Sequence, residues 1–332
     1  MSKKNTISYL LSTAAIALFT LLACYISGVV NMFCGIFVSV LLGMQVIKYH
    51  YGLLFPSVSL VLLIPFLAMT ALPDTQLSFR DTAIYALNFA LPLILMGFTL
   101  GFALKFKLSF SKTLLILAAI YLVGTLIHMQ VLSSMFPEHV SLDSALSIAV
   151  EQAIDSFSKA YAAQPETLKA LESMLALFTR LIMVLTPSIF ILVSLFVAYL
   201  CFAIFKKYIS TRGEDVSFWP AFSELSSDAV SSALFLILLV VFMFAPDGII
   251  SDAVVNVLLV LAAIFTFYGL SYIDWKMCMM GFRPLPRRLI VILSVPFGTL
   301  IFPFLLLVFI AIGVLNGFMD LRKRSNDKAN YL

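Results

Sequence analysis

Apolar runs of about twenty residues, parted by short polar or basic breaks, recur from one end of the 332-residue chain to the other. An α-helix rises about 1.5 Å per residue, so each run is long enough to cross a hydrocarbon core about 30 Å thick. The pattern predicts spans at residues 8–27, 29–47, 51–71, 82–104 and 112–132. Gly28 and Asn31 mark the first turn, and Lys48-Tyr49-His50 form the second break. A sixth span falls within 171–205, a seventh at 229–244 and an eighth between 252 and 272. Residues 289–318 are nearly all apolar but are interrupted by Pro296, Gly298 and Pro303, which favours a short hairpin over one long span. The expected fold is all-α, a polytopic transmembrane helical bundle of 8–10 spans. Residues 1–27 place Lys3 and Lys4 ahead of an apolar stretch, yet no small-residue cleavage pattern closes it. They are read as an uncleaved first span.

The segment 134–172 is too charged to span, but it is periodic. Leu142, Leu146, Ala149, Ala153 and Phe157 recur at steps of three and four, the stripe of an amphipathic helix. Ser141 suits its N-cap, and Asp143 suits the positive end of the helix dipole. Pro165 fits the first turn of a second helix that merges with the sixth span. The segment is expected to lie on the membrane surface or over the mouth of the bundle. Two regions follow: a six-span module over 1–210 containing this outer segment, and C-terminal membrane helices over 211–332 with the Pro-broken last stretch.

Composition narrows the class. Apolar residues make up 62% of the chain and charged ones 11%, against roughly 45–50% and about 25% in soluble domains. That excludes a soluble enzyme and a free nucleic-acid binder, and the runs lack the ten-residue alternation of an outer-membrane barrel. Orientation follows the placement of Lys and Arg. With a cytoplasmic N-terminus, Lys48, Lys105, Lys107, Lys112, Lys206, Lys207, Arg212 and the basic stretch 276–288 all fall inside. Segment 134–172, with six carboxylates and two lysines, then lies outside. A hairpin over 289–318 returns Arg322, Lys323 and Arg324 to the cytoplasmic side.

Candidate chemistry is sparse. Cys24, Cys34, Cys201 and Cys278 form no metal-ligand or redox spacing, and His50, His128 and His139 are scattered. There is no Walker loop, dinucleotide fingerprint, HExxH or GxSxG. No metal, no cofactor and no enzyme activity are expected, and the positive-inside rule explains the basic loops without nucleic acid.

Polar groups at membrane depth are costly, so each is a hint of function. Asn88 near Pro92, His128, Gln130 and Arg180 are the candidate contacts for a small molecule. Each also has a plainer reading: an interhelical hydrogen bond, or for Arg180 a snorkelling contact with headgroups. Asn256 in the eighth span has the same standing. Thr13, Ala17, Thr20 and Cys24 form a small-residue stripe, and Gly97 and Gly101 a GxxxG face, both suited to close approach of another helix or a partner. Trp219, in Trp219-Pro220, suits a membrane interface. Asp274 is read as a partner for Lys276 or Arg283.

Four stretches carry a family resemblance. They are Gly97-Phe98-Thr99-Leu100-Gly101 with Lys105, Lys107 and Ser109; Phe218-Trp219-Pro220-Ala221-Phe222-Ser223; Asn256 through Phe267-Tyr268-Gly269-Leu270; and Gly313 through Asp320-Leu321-Arg322-Lys323-Arg324. Together with the span spacing they resemble the YybS-like membrane proteins, a bacterial multipass family with no assigned function. Asn316 stands where that family leads one to expect an aspartate. The family is distantly similar to the S components of energy-coupling-factor transporters. Those six-span bundles capture vitamins or metal ions for a transmembrane coupling protein and its two ATPases. The resemblance implies a bacterial cytoplasmic membrane location, a binding module in spans 1–6, and a coupling-protein contact on the Thr13/Ala17/Thr20/Cys24 stripe. Two readings stay open on these grounds. One is a substrate-binding or transport-associated protein that depends on a partner ATPase complex. The other is a non-transporting scaffold or regulatory protein that holds another envelope protein through 141–172 or 206–228. Membrane lipids are partners in both.

Overall fold

A computed structural model describes residues 3–26, 28–49, 53–71, 78–135, 152, 154, 165–246, 248–300 and 302–322. Among them are ten α-helices and no strand: α1 (Lys3–Tyr25), α2 (Val29–Lys48), α3 (Phe55–Thr70), α4 (Phe79–Lys105), α5 (Phe110–Met135), α6 (Pro165–Thr211), α7 (Ala229–Phe244), α8 (Ile249–Met279), α9 (Pro284–Leu300) and α10 (Pro303–Met319). Six are long and apolar enough to cross a membrane, and three more are shorter apolar helices. Their outer faces expose Leu, Ile, Val and Phe side chains, as a lipid-facing surface requires. The protein is an all-α, polytopic membrane protein.

Helix ends follow local chemistry. Ser78 caps α4 by accepting the Asp81 N–H at 3.2 Å. Asp228 caps α7 by accepting the Ser231 N–H at 2.7 Å. That N–H, and then the Ser231 hydroxyl, hold the Asp228 carboxyl below the usual carboxylate range. α4 closes through a left-handed Lys107, φ 50°, with the Leu108 N–H reaching back to Ala103. α6 starts at Pro165 and runs unbroken into the sixth span. α8 runs past the expected end at residue 272 to Met279, and Gly281, φ 79°, turns the chain. The stretch expected as a hairpin is two helices, but α9 starts earlier, at Pro284, and takes Arg287 and Arg288 into its first turns. The amphipathic helix expected over 141–157 lies outside the described residues, apart from positions 152 and 154.

The chain divides into two compact units. The first comprises Met1–Ile182 and Val193–Phe218. Its core gathers Ile16, Val38, Leu42, Val61, Ala90, Leu93 and Ile94. α2 and α4 run in the same direction with backbones nearly touching. A β-carbon on Gly97 would lie 2.6 Å from Leu42 Cβ, and one on Gly101 would lie 2.5 Å from Val46 Cγ1. α5 runs antiparallel to α4, with the Pro92 ring filling the space that a side chain on Gly124 would need. α1 runs antiparallel to α2: Lys48 bonds Ser8, and buried Gln45 donates to Ser12 Oγ at 2.9 Å and Thr13 Oγ1 at 3.2 Å. This alternation brings Lys48, Lys105, Lys107, Lys112, Lys206 and Lys207 to one end of the unit.

The second unit comprises Met183–Leu192 and Trp219–Leu332. α7 lies antiparallel to α8 and α10, with Phe235 packed on Phe265 and Val314, and Ser232 against Gly317. α8 and α10 therefore run in the same direction. They cross where Gly269 meets the Phe309 carbonyl and Gly313 meets the Phe265 carbonyl. At the end of α10, Asp320 takes a left-handed conformation, φ 41°. Arg322 then donates to the Leu225 carbonyl at 2.7 Å and to Ser271 Oγ at 2.9 Å. The Ser271 hydroxyl is 2.6 and 2.7 Å from the Phe222 and Leu225 carbonyls. Trp219, expected at an interface, is 2% exposed.

Asn256 repairs a helix in this unit. Pro187 lacks an N–H and its ring crowds the preceding turn of α6. The Asn256 amide donates to the Val184 carbonyl at 2.7 Å, and its oxygen accepts the Ser188 N–H at 3.0 Å. Those two backbone groups would bond each other in an unbroken helix. Neighbouring side chains make proline tolerable in membranes in this way. Replacing Asn256 by leucine is expected to cost about 1–3 kcal/mol by stranding both groups. The loss should shrink when Pro187 is also replaced by alanine, because the ladder can then close directly. An equal fall in detergent unfolding temperature in both backgrounds would overturn this account.

Candidate functional site

The first unit contains a cavity of about 310 Å³ between the first halves of α2 and α4, the second half of α5 and Val197 of α6. Helical spacing builds it. Tyr121, Thr125 and His128 recur at steps of four and three on α5, while Tyr85 and Asn88 share one face of α4 with Pro92 and Met96. Asn31 comes from the first turn of α2. The cavity runs from exposed Gly28 down to buried Ser39 and Met96. Gly28, its exposed lining residue, lies at the end of the unit opposite the lysines.

Close packing beneath the cavity fixes its walls. Gly35 lets α2 approach Leu93, and Gly124 lets α5 seat on Pro92, so the polar side chains above are held on rigid helices. Tyr85 and His128 stand ring to ring, their centroids 5.4 Å apart at 53°. His128 Nδ1 is buried and has no hydrogen-bond partner among the described residues. A buried polar atom left unpaired costs about 1–3 kcal/mol. The described lining carries no Asp, Glu, Lys or Arg. The arrangement offers hydrogen bonding, aromatic faces and apolar walls, but no fixed charge.

Of the residues named from the sequence, Asn88 and His128 line this cavity. Gln130 and Arg180 are exposed and are not among its lining residues. Asn256 lies in the second unit, occupied by α6. Thr13 lies 3.1 Å from Ser57 and accepts from Gln45, and Thr20 is fully buried with its hydroxyl on the Ile16 carbonyl. Ala17 and Cys24 are half-buried on the same helix. Asn31, Tyr85, Tyr121 and Thr125 were not singled out as candidates. The 121/125/128 and 85/88 spacings are the signal that marks them, a polar stripe on otherwise apolar helices. No group of three or more His, Cys, Asp and Glu able to hold a metal occurs among the described residues.

A second polar site lies in the other unit, where residues in or beside three of the four motif-bearing stretches meet: 218–223, 256–270 with the adjoining Ser271, and 313–322. Ser227 Oγ donates to the Gly313 carbonyl at 2.6 Å. Burial pulls the Arg322 pKa down, against the pull of Asp320 and Glu224. Its hydrogen bonds end on the Leu225 carbonyl and Ser271 Oγ. They tie the loop and the end of α10 together, while Arg322 Nε and the buried Asn316 Oδ1 have no hydrogen-bond partner among the described residues.

Comparison with known proteins agrees with this architecture. A family model described as "Predicted membrane protein (DUF2232)" matches residues 14–316, and the chain belongs to that family. No curated protein and no solved structure matches.

Proposed function

We propose that the protein is a substrate-binding, transport-associated component of a bacterial cytoplasmic membrane, with the cavity of the first unit as its binding site. The observation that carries this reading is the unpaired His128 Nδ1 in a cavity that Asn88 and Tyr85 also line. Such a cavity, mostly apolar with a few convergent polar groups, has the make-up of a small-molecule site. The lysines at the opposite end favour a cytoplasmic placement for that end. The Gly28 end of the cavity then faces the outside, as capture of an external solute requires. The described chain has no nucleotide-binding motif, so uphill transport needs energy from a partner ATPase complex or an ion gradient. The S-component resemblance favours the partner complex.

The test is capture of small molecules by the full chain. Protein purified gently from native membranes is denatured, and the released molecules are identified by mass spectrometry beside an Asn88→Trp variant that fills the cavity. A molecule retained by the wild type is expected to fall at least tenfold in the variant, with unchanged elution on size exclusion. Equal retention by both proteins would remove the cavity from the function.

A further inference from the structure

We infer that the cavity takes an uncharged, planar heterocycle carrying an amide-type edge, with a hydrogen-bond donor beside an acceptor. The inference rests on the reading of the cavity as the binding site, and it names the ligand class. Three features of the lining support it.

The first is charge. A ligand entering this space leaves water and meets no Asp, Glu, Lys or Arg on the described lining. An ionised group carried into such a site without a counter-charge is heavily penalised, whereas a neutral polar group loses only what hydrogen bonds can return. The second is shape. Tyr85 and His128 meet ring to ring, and Phe89 and Tyr121 add two more aromatic side chains to the walls. Flat faces of this kind favour a flat partner, through offset stacking or edge contacts. At about 310 Å³ the cavity lies near the lower end of the range for small-molecule sites, a size that suits one or two rings.

The third is hydrogen-bonding pattern. Asn31 and Asn88 each offer a carbonyl oxygen and an amide N–H₂, and a carboxamide pairs naturally with a ligand edge that has both functions. His128 adds the buried, unpaired Nδ1. In a neutral imidazole this nitrogen either donates or accepts, depending on which nitrogen carries the proton. A donor-acceptor edge satisfies it in either form, and a ligand with acceptors alone does not. The site therefore discriminates by uncompensated polar groups, the mechanism that separates ligands lacking one hydrogen-bonding function most sharply.

Matched probe pairs test the class. Binding of nicotinamide against nicotinate, and of uracil against orotate, is measured on the full chain in lipid nanodiscs by equilibrium dialysis. Each pair keeps the ring, and one member bears a carboxylate. The neutral member is expected to bind at least tenfold more tightly. Asn88→Ala and His128→Phe are each expected to weaken it tenfold or more, with elution and unfolding temperature held. The phenylalanine keeps a ring against Tyr85 while deleting Nδ1. Equal or tighter binding of the carboxylates would overturn the class, and so would the absence of binding by all four probes. The fate of the binding-site reading is decided separately, by whether Asn88→Trp empties the protein of its captured molecule.

Discussion

Asp274→Ala is expected to leave little folded protein after detergent extraction. Asp274 sits near the end of α8 with its side chain 7% exposed, and Arg287 of α9 is 14% exposed with its Nε 2.7 Å from Asp274 Oδ1. The two side chains form an ion pair between α8 and α9. Removing the carboxylate strands a guanidinium among apolar helices, a loss of about 3–5 kcal/mol. Total stabilities are commonly about 5–15 kcal/mol, so the loss takes a large share of the margin. The sign reverses if both charges go together. Asp274→Leu with Arg287→Leu removes the desolvation cost along with the attraction, and such double replacements are often neutral or stabilising. The readout is monodisperse yield together with unfolding temperature. A single variant that melts with the wild type, or a double variant no better than the single, would show that the pair does not brace α8 against α9.

This pair also shows where the sequence was hard to read. Apolar run length predicts membrane helices because lipid forces every backbone group to bond within its own segment, and 229–244 is recovered at both ends. The end of α8 is missed because Asp274 looks like the water boundary, whereas its charge is neutralised by a residue thirteen positions on. The polar candidates behave similarly. Asn88 and His128 stand out as polar residues in apolar runs, and both line the cavity. Gln130 stands out equally, but two residues from His128 is roughly 200° around the helix, and it is exposed. Tyr85, Tyr121 and Thr125 are ordinary membrane residues until α4 and α5 are brought face to face. That pairing is set by Gly124 against Pro92, a tertiary contact with no local signature. Trp219 has the composition of an interfacial anchor and is buried within the protein, at the start of the loop that Ser271 and Arg322 tie down.

The crossing of α8 and α10 carries the other large effect. At Gly313 the space for a β-carbon is taken by the Phe265 carbonyl, with the carbonyl carbon 2.9 Å away; at Gly269 it is taken by Phe309, whose carbonyl carbon is 2.8 Å away. Side-chain neighbours can rotate aside, but these are backbone atoms of hydrogen-bonded helices. The axes must separate to admit even a methyl group, and the dispersion contacts along the seam go with them. Gly313→Ala is expected to cost about 1–3 kcal/mol, and Gly313→Val more, since overpacking a close seam scales with the volume forced into it. Gly298→Ala is the control, because the nearest atoms to its β-carbon would be those of the Leu306 and Leu305 side chains, at 3.2 Å and beyond. Displacing α10 also withdraws its end, where Arg322 holds Leu225 and Ser271. Gly313→Val should therefore free the 219–228 loop as well as lower the unfolding temperature. In a background with the exposed Cys278 replaced by serine, Ser227→Cys, whose side-chain position lies in that loop, should react with a thiol reagent slowly in the parent and rapidly beside Gly313→Val. Equal reaction rates with a lowered unfolding temperature would confine the damage to the seam. A Gly313→Val protein that melts with Gly298→Ala would mean that the two helices do not cross at these glycines.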